Sequence, residues 1–442
     1  DSTDPLGRVS QFFYNKNDFL TKETDPMNHS TQYGYDKNDN LTTITNAMGG
    51  VTTMTYDDAT DWLTSVEFAG ATKQYNYNKD GSLNSFIKPN GATLNYTYDA
   101  LGRVTNDGVN SYSYDDKLRL SEISDGSKSV SFTYDGFNRI TGTVCGSTSN
   151  SYGYDENGNC TSINGTVYGY DGLNRLTWVA FDNMVRISYT YRKDGKLSKV
   201  EYLNVMTTTY DYDAAGRLTS KQTTLSNGTV VASYKYKLDK AGNIVEQTTQ
   251  EPYSEMVMPS EEAAYIYKNG NRISKAGDLS FEIDPNGNTT KRGDESYEWD
   301  KSDRLTMAGS TAITYDPLGL IASYGDITFT TDPLGIGNVL SDSKSGAQYI
   351  YGNGLEARVK DGVISYYVTD LRGSVVAIVD QNGNITHKYQ YDSFGRVTQK
   401  KEADYNPFQY VGKYGVMALN DHQYYMRARH YDPTIGRFLS ED

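Results

Sequence analysis

The feature that most constrains this chain is a short repeat, Tyr-x-Tyr-Asp-x-x-Gly/Asn-x-Leu, that recurs along most of the sequence. The clearest copies begin at Tyr33, Tyr96, Tyr112, Tyr152, Tyr168, Tyr210 and Tyr389, and more degenerate copies begin at Tyr75, Phe132, Tyr189, Tyr297 and Ile313. From Tyr35 to Tyr212 the second aromatic residue returns at steps of about 16 or 20–21 residues. A fixed period of this kind is typical of an array in which each unit is one supersecondary element.

Each position of the repeat has a physical role. The two tyrosines lie on one face of an extended strand, because side chains alternate with period two. The aspartate that follows can accept hydrogen bonds from backbone N–H groups two residues further on, and the Gly or Asn can adopt the left-handed conformation of a bulged hairpin loop. The Arg-Leu or Arg-Val pair then opens the return strand, with the arginine available to a neighbouring aspartate.

A unit of about 20 residues therefore holds two strands of roughly seven residues each and two turns. One hairpin alone is marginally stable in water, so the repeats are predicted to pair edge to edge in an all-β array of antiparallel hairpins. We expect each repeat tyrosine to stack on that of the next repeat. The repeat tyrosines of the clear copies are Tyr33, Tyr35, Tyr96, Tyr98, Tyr168, Tyr170, Tyr210, Tyr212, Tyr389 and Tyr391.

Changes in the repeat pattern divide the chain into four regions. Regular repeats fill residues 1–245, and an irregular, acidic, proline-containing stretch at 246–264 is predicted to be a long loop. Degenerate repeats follow at 265–365, and a denser, more specific segment occupies 366–442. A short helix or irregular plug after Asn406 is the expected exception to β structure.

Composition limits the classes of function. Hydrophobic residues make up 37% of the chain and include 40 tyrosines, so we expect no large aliphatic interior. A net charge of −14 disfavours nucleic-acid binding, because a phosphate backbone would be repelled. No apolar stretch approaches the roughly 18 residues that a membrane span requires. Cys145 and Cys160 are expected to pack as small hydrophobic residues, with a single cross-link as the less favoured alternative.

Motifs for catalysis, cofactors or metals are missing from the sequence. The histidines stand far apart and predict neither a metal site nor a cofactor, and His430 is expected to pack; they are His29, His387, His422 and His430. Four Asp-Pro-x-Gly elements begin at Asp4, Asp284, Asp316 and Asp332. Proline after the aspartate and glycine two residues later are ordinary turn chemistry, so we interpret all four as hairpin turns.

The repeats, together with the run from Tyr366 to Asp442, resemble the YD-repeat family, which includes bacterial Rhs proteins, C components of insecticidal toxin complexes and teneurin shells. One departure is Met417–Gln423, where the family commonly has an acidic turn with Thr-Gly-Leu. The residues that match the family's Rhs core signature are Tyr424, Tyr425, Arg427, Arg429, Tyr431, Asp432, Pro433, Gly436, Arg437 and Phe438.

The resemblance implies a sheet wound spirally into a hollow shell that encloses and protects a C-terminal toxin or effector domain of the same parent chain. It implies a structural protein, not an enzyme, that is secreted by or displayed on bacteria, with a targeting segment outside this sequence. The alternative is an adhesion module whose exposed aromatic rings bind carbohydrate or a cell-surface partner.

The family also cuts its own chain with a pair of aspartates from two Asp-Pro-x-Gly elements. By its place after Gly436-Arg437-Phe438, Asp442 matches the first of these aspartates, and the rest of both elements is absent from this sequence. The resemblance therefore implies that these residues alone do not cleave. The closing arginines Arg427, Arg429 and Arg437 are expected to pair with acidic neighbours, namely Asp432, Glu441 and Asp442, and a binding patch is the less favoured alternative.

Overall fold

The computed structural model describes residues 1–253, 255, 257 and 263–441; about 55% of the chain is strand, and these residues contain no α-helix. The described strand pairs are antiparallel, and within each of four sheets the strands lie in chain order. The all-β prediction and the consecutive order of the hairpins are therefore confirmed. The short 3-10 helices are Asn269–Asn271 and Gly412–Tyr414, the second of which falls after Asn406 as expected.

The first two sheets contain the regular repeats. The ten-stranded sheet consists of β1 (Ser2–Thr3), β2 (Val9–Tyr14), β3 (Leu20–Thr24), β4 (Ser30–Tyr35), β5 (Leu41–Thr45), β6 (Val51–Tyr56), β7 (Leu63–Phe68), β8 (Ala71–Tyr77), β9 (Leu83–Ile87) and β10 (Thr93–Asn95). The first sixteen-stranded sheet consists of β11 (Thr97–Tyr98), β12 (Val104–Asn106), β13 (Ser111–Tyr114), β14 (Leu120–Ser124), β15 (Ser129–Tyr134), β16 (Ile140–Cys145), β17 (Thr148–Tyr154), β18 (Cys160–Ile163), β19 (Thr166–Tyr170), β20 (Leu176–Phe181), β21 (Met184–Tyr191), β22 (Leu197–Tyr202), β23 (Met206–Tyr212), β24 (Leu218–Leu225), β25 (Val230–Leu238) and β26 (Ile244–Gln250).

The other two sheets contain the degenerate repeats and the C-terminus. The second sixteen-stranded sheet consists of β27 (Tyr265–Lys268), β28 (Arg272–Ala276), β29 (Leu279–Ile283), β30 (Thr289–Arg292), β31 (Glu295–Trp299), β32 (Leu305–Ala308), β33 (Thr311–Tyr315), β34 (Ile321–Tyr324), β35 (Ile327–Thr331), β36 (Val339–Asp342), β37 (Gln348–Gly352), β38 (Gly354–Lys360), β39 (Val363–Thr369), β40 (Val375–Asp380), β41 (Ile385–Tyr391) and β42 (Val397–Lys401). The four-stranded sheet consists of β43 (Met417–Asn420), β44 (Gln423–Met426), β45 (Arg429–Asp432) and β46 (Arg437–Phe438).

A register shift recurs in the regular hairpins, at the second tyrosine of the repeat. In β4 the shift lies between Gly34 and Tyr35, and in β19 it lies between Gly169 and Tyr170. The extra residue lies in the return strand, at Thr42 in β5 and at Thr177 in β20, so the return strand is the one that the bulge bends. The bulge agrees with the bulged hairpin loop that the motif predicts.

The irregular region begins later than the predicted residue 246, because β26 continues to Gln250. Ser233 of β25 is opposite Gln250, so backbone pairing carries the strand past the last repeat-like residue. Every side chain of β26 is exposed, and a strand without a buried face shows no alternation of apolar and polar residues. Part of the predicted loop, residues 254, 256 and 258–262, lies outside the described residues.

The chain forms two compact units. Unit 1 consists of the described residues within Asp1–Tyr112, Glu262–Gly309 and Ser440–Asp442. Its first two pieces are joined by a side-chain cluster around Asp303. Lys88, which is only 8% exposed, donates from Nζ to Asp303 Oδ2 at 2.5 Å, and the Asn286 and Asn288 amides donate to Asp303 Oδ1 at 2.9 Å. The degenerate repeats after 265 are therefore tied to the early repeats by polar contacts.

Unit 2 consists of the described residues within Ser113–Glu261 and Ser310–Leu439. Its core packs β20–β25 against β37–β40 and includes Val179, Ile187, Tyr234, Ala357 and Val379. The expectation of little aliphatic interior is wrong for this unit. The chain average hides the fact that valine, isoleucine and tyrosine are concentrated in these strands. Cys145 and Cys160 are both free thiols.

Candidate functional site: repeat turns and the C-terminal segment

The repeat aspartate organises its own turn. In the copy from Tyr168, Asp171 Oδ1 accepts the backbone N–H groups of Leu173 and Arg175 at 2.9 and 3.0 Å, and Arg175 Nε donates to Oδ2 at 2.8 Å. Asn174 has the predicted left-handed conformation, with φ of 59°. The Arg175 side chain, followed by its backbone N–H, lowers the pKa of Asp171. The aspartate is therefore a charged cap, and its arginine partner lies in the same repeat.

In ten copies of the repeat, the hydroxyl of the second tyrosine links the repeat to the one before it. Tyr170 donates to the carbonyl oxygen of Cys160 at 2.8 Å, although this carbonyl is 10 residues earlier in the chain. Corresponding bonds are made by Tyr35 to Leu20, Tyr56 to Leu41, Tyr77 to Leu63, Tyr98 to Leu83, Tyr134 to Leu120, Tyr154 to Ile140, Tyr191 to Leu176, Tyr212 to Leu197 and Tyr391 to Val375. The acceptor is the residue that opens the preceding return strand. The repeats are therefore joined by a side-chain bond as well as by the sheet.

The repeat arginine adds a second link between repeats. Arg139 lies over the ring of Tyr154 in the next repeat, with Cζ 4.7 Å from the centroid, and its Nη1 donates to the Asp155 carbonyl at 2.7 Å. Arg175 lies over Tyr191 in the same way, at 4.6 Å. Cation–π contact of this kind contributes about 0.5–1 kcal/mol at exposed sites. Hydroxyl and arginine contacts thus take the place of the predicted stack of tyrosine on tyrosine.

The first tyrosine of each pair has a different environment. Tyr33 and Tyr389 donate to the carboxylates of Glu23 and Glu402, at 2.8 and 2.7 Å. Burial raises the pKa of the hydroxyl at the corresponding positions, which are Tyr96, Tyr168, Tyr210 and Tyr389. These phenols stay neutral, and those of Tyr33 and Tyr389 act as hydrogen-bond donors.

In the C-terminal segment, residues 366–441, the signature tyrosines attach to a repeat turn. Tyr424 and Tyr431 are opposite each other in β44 and β45. Tyr424 donates to the carbonyl of Gly395 at 3.0 Å, and Tyr431 donates to the carbonyl of Phe394 at 2.8 Å. Both carbonyls belong to the turn that follows Tyr391. The four-stranded sheet is therefore fastened to the last clear repeat by the same phenol-to-carbonyl chemistry that joins the repeats.

His430 packs in the interior, as expected. It is 2% exposed, its Nε2 lies 3.0 Å from the Tyr315 hydroxyl, and its Nδ1 lies 3.0 Å from the Gln423 amide. The Tyr425 ring is tilted against it at 5.5 Å. Burial lowers the pKa of His430 to about 3, so the ring is neutral near pH 7.

The closing arginines only partly match the prediction. Arg427 donates to the carbonyl oxygens of Ile336 and Tyr414, and Arg429 lies 3.7 Å from the centroid of the Phe438 ring. Asp432 and Arg437 face each other across β45 and β46. Glu441, predicted to pair with the closing arginines, instead binds Arg272 at 2.7 Å.

Two other signature residues have clear structural positions. Pro433 is buried directly after β45, and Gly436 has φ of 65° in the turn before β46. Asp442 lies outside the described residues.

Sequence reasoning missed a polar cluster around Asp404. Asp404 binds Arg358 at 2.6 Å and Lys360 at 2.8 Å, and the His387 ring lies 3.0 Å from the same carboxylate. Burial, then the Arg358 charge, lowers the pKa of His387. Nearby, Asn406 accepts from Tyr367 at 3.0 Å. These residues occupy ordinary-looking strand and loop positions, so no local motif distinguishes them.

A metal site requires several ligating side chains close together in space. Ranges 1–253 and 263–441 contain no group of three histidine, cysteine or acidic side chains placed to hold a metal ion. The Asp-Pro-x-Gly elements at Asp4, Asp284 and Asp316 form turns in which the glycine N–H donates to the aspartate carbonyl at 2.9–3.0 Å. Within the described part of the chain, no helix is long and apolar enough to cross a lipid bilayer.

The fold and these contacts define a class of protein: an all-β array of tyrosine–aspartate hairpins fastened at its end by a specialised segment. The family model described as teneurin YD-shell matches residues 75–166 and 199–442, about three quarters of the chain, and the RHS repeat model matches 14–51 and 35–73. The chain belongs to the teneurin YD-shell family.

Known proteins extend this result. The chain is 33% identical over 112 residues to the tRNA3(Ser)-specific nuclease WapA of Bacillus spizizenii. The aligned stretch covers 23% of this chain and 4% of the nuclease. The fold of this chain resembles a crystal structure of TcdB2-TccC3, with a TM-score of 0.68 and 13% sequence identity. The match covers 99% of this chain and 33% of the other chain. The form without the hypervariable C-terminal region has a TM-score of 0.66 and 12% identity, with the same coverage.

The likeness to the TcdB2-TccC3 structures is one of fold. The chain spans about a third of the length of those solved chains and 4% of the nuclease.

Proposed function

We propose that this chain is part of a larger shell that encloses and protects a C-terminal toxin domain of the same parent polypeptide, in a bacterial protein that is secreted or displayed at the cell surface. The observation that carries the proposal is membership of the YD-shell family through residue 442. The matched relatives are much longer than this chain. One of the similar crystal structures is of TcdB2-TccC3 without its hypervariable C-terminal region.

The chemistry of the repeats suits a wall that carries no catalyst. Many of its phenol hydroxyls and aspartates are bonded within the wall, as in Tyr170 to Cys160 and Asp171 to Arg175, although the buried Tyr236 hydroxyl has no hydrogen-bond partner among the described residues. Groups bonded in this way can border water or be buried without an unsatisfied donor. We therefore assign the chain a structural role.

Asp442 would contribute to self-cleavage only with a second carboxylate from further along the parent chain. Two carboxylates a few ångströms apart share one proton, because two neighbouring negative charges repel. One carboxylate takes a proton from water as the water oxygen bonds to the peptide carbonyl carbon. The C–N bond then breaks, and the leaving amine receives a proton from the other carboxyl group.

The test is to express the natural chain with the residues that follow Asp442 and to treat it with a broad-specificity protease. We expect two fragments that purify as one particle, with the downstream fragment resistant until the shell is denatured. The Asp442→Asn variant should stay one chain while its downstream region remains protected. Digestion of the downstream region as fast as when it is expressed alone would contradict enclosure.

Adhesion is a second candidate, favoured by exposed apolar residues at the hairpin turns. Phe137 is 82% exposed, Leu173 is 73% exposed and Phe394 is 59% exposed. Binding of this protein to a glycan array that is lost in the Phe137→Ala and Phe394→Ala variants would support this candidate. Equal signals from the variants and the parent would remove it.

A further inference from the structure

Asp332 differs from the arginine-paired repeat aspartates in its charge partner. In the copy from Tyr168, the residue four positions after the aspartate is an arginine that pairs with it, as Arg175 does with Asp171 at 2.7 Å. Four positions after Asp332 stands Ile336, which is exposed and carries no charge. Within the described part of the chain, no lysine, arginine or histidine forms an ion pair with Asp332.

The loop that follows Asp332 is also wider than a repeat turn. In the Asp-Pro-x-Gly turn at Asp316, the aspartate N–H donates to the carbonyl of Leu320, four residues further on, at 2.9 Å. The Asp332 N–H donates instead to the carbonyl of Asn338, six residues further on, at 2.7 Å. The sequence motif is that of a tight turn, but the structure opens it into a longer loop.

The Asp332 carboxylate is buried, yet it uses only one of its oxygens. It is 5% exposed, and its Oδ1 accepts the Tyr152 hydroxyl at 2.7 Å and the Leu334 N–H at 2.9 Å. Among the described residues, Oδ2 has no hydrogen-bond donor. Burial raises the pKa of Asp332. A buried carboxylate in this state is stabilised by a cation that reaches it.

Glu356, a buried carboxylate in the same unit, shows the contrast. Its Oε1 accepts the Tyr189 hydroxyl at 3.1 Å, and its Oε2 accepts the Tyr202 hydroxyl at 2.7 Å. Both oxygens of Glu356 are therefore satisfied by the chain itself. Asp332 Oδ2 leaves room for a donor that the described chain does not supply.

Asp332 lines a cavity of about 230 Å³, which lies between β18–β19 and β35–β37 of unit 2. This volume equals that of about eight water molecules. Three tyrosines form part of the wall, namely Tyr168, Tyr349 and Tyr351, and Asp332 supplies the one carboxylate among the described lining residues. The cavity thus combines aromatic rings with a buried negative charge.

We propose that this cavity binds a protonated primary amine, whose ammonium group pairs with the Asp332 carboxylate beside the rings of Tyr168 and Tyr351. An ammonium group has three donors for Oδ2 and other lining oxygens, and aromatic faces attract it by cation–π contact. A calcium ion would need roughly six to eight oxygen ligands, which one carboxylate does not provide. The lining residues Asn164 and Gln348 are exposed, so a small ligand can enter from that side.

The same chemistry suits a free alkylamine and a lysine side chain of another polypeptide. The inference does not depend on whether the chain encloses a toxin domain, because it rests on one carboxylate and one cavity within unit 2.

The first experiment titrates n-butylammonium chloride into the 442-residue protein by isothermal calorimetry. The uncharged ligand of similar shape is 1-butanol. Butylammonium should bind at least about tenfold more tightly than butanol, because a hydrogen bond between charged groups is stronger than one to a neutral ligand. Equal affinity for the two ligands would overturn the proposal.

The Asp332→Asn variant removes the charge and keeps the Oδ1 acceptor for Tyr152 and Leu334. It should weaken butylammonium binding by at least about tenfold. Asp380→Asn is the matched control, because Asp380 Oδ1 accepts the Asn382 N–H at 2.9 Å in a similar turn and is not part of this cavity. The control should bind like the parent. Parent affinity in Asp332→Asn would contradict the assignment of the carboxylate.

Two variants at Tyr168 test the wall without changing Asp332. Tyr168→Phe keeps the ring and should bind butylammonium like the parent. Tyr168→Leu removes the ring and should bind about two- to fivefold more weakly, because the cation–π contact is lost. Thermal unfolding checks that each variant is folded. Equal affinity in the two variants would contradict the placement of the ammonium group beside this ring.

The last comparison separates the two sources of the amine. The peptide acetyl-Gly-Lys-Gly-amide is titrated beside butylammonium. Tighter binding of the peptide would support a lysine side chain of a polypeptide as the ligand, and weaker binding would support a free alkylamine. Potassium chloride that binds as tightly as butylammonium would identify a site for inorganic cations and overturn the proposal.

Discussion

The early repeats and the C-terminal part of unit 2 use the same turn chemistry with very different burial. In the early repeats, β6 alternates between exposed and half-buried residues. In β39 every residue after the first is buried, and β40 is buried over its first five residues. Yet Tyr56 and Tyr391 make the same bond to a preceding strand, at 2.9 and 2.7 Å.

The comparison shows that the tyrosine–aspartate repeat specifies the path of the chain without requiring a core. Its bonds are local or reach an adjacent repeat, so each hairpin is positioned by its neighbours. The C-terminal region adds tight packing and buried polar groups whose partners are distant in sequence, such as Tyr202 and Glu356 at 2.7 Å. We therefore expect mutations to be costly in the C-terminal region and mild at the exposed positions of the repeats.

The largest expected effect tests that contrast directly. Phe408 is fully buried, and the Tyr349 ring meets its ring edge-on at 4.7 Å. Phe408→Ala should lower the free energy of unfolding by about 3–5 kcal/mol, because it leaves a cavity. Phe137→Ala, in the same unit and largely exposed, should change it by less than about 0.5 kcal/mol. Denaturant unfolding measures both, and equal effects would break the comparison.

The next prediction concerns the pH dependence of the free energy of unfolding, and it tests the buried histidine of the C-terminal segment. The folded pKa of His430, about 3, lies below the unfolded value of about 6.5, so the unfolded state binds more protons between these values. Stability of unit 2 should therefore fall as pH drops below about 6.5, by up to roughly 1.4 kcal/mol per pH unit from this residue. His430→Phe should flatten the pH dependence of the unfolding free energy, and a slope identical to that of the parent would contradict the assignment.

A smaller effect tests the turns. Gly158 has φ of 86° and open space around its Cβ position, so Gly158→Val adds backbone strain without a collision. The expected loss is about 1–2 kcal/mol. Gly172 stands in the aspartate turn of the next repeat copy, between β19 and β20, also with open space but without positive φ, and Gly172→Val should be milder. Similar midpoints for the two variants in thermal unfolding would show that the left-handed position is unimportant.

The smallest effect isolates the link between repeats. Tyr170→Phe keeps the ring and removes only the hydroxyl that donates to Cys160. We expect a loss of about 0.5–1.5 kcal/mol, the usual net value of one hydrogen bond. Tyr170→Ala should cost more because the ring is lost as well. If Tyr170→Phe unfolded like the parent while Tyr170→Ala did not, the ring, and not the hydroxyl, would be the link.

Period and residue chemistry predicted much of the fold. The aspartate cap at Asp171, the left-handed Asn174 and the consecutive hairpins all follow from short-range preferences. Between the clear repeats of the described chain, hydroxyl-to-carbonyl bonds and arginine–ring contacts are found where a stack of tyrosine on tyrosine was predicted.

The candidate site was less predictable. The Asp404 cluster and the pairing of Arg272 with Glu441 join residues tens to hundreds of positions apart, and nothing local marks such partners. The resemblance identified the signature tyrosines, but not the carbonyls of Phe394 and Gly395 that they reach. Long-range polar contacts therefore came from the structure alone.

Hydrogen exchange across the whole chain tests the central claim most directly, because it reports on both regions in one experiment. We expect amides of β39–β41 to exchange only through opening of unit 2 as a whole, and amides of β2–β7 to exchange faster through local opening of half-exposed hairpins. Equal protection in the two regions, or slower exchange in β2–β7, would contradict the account.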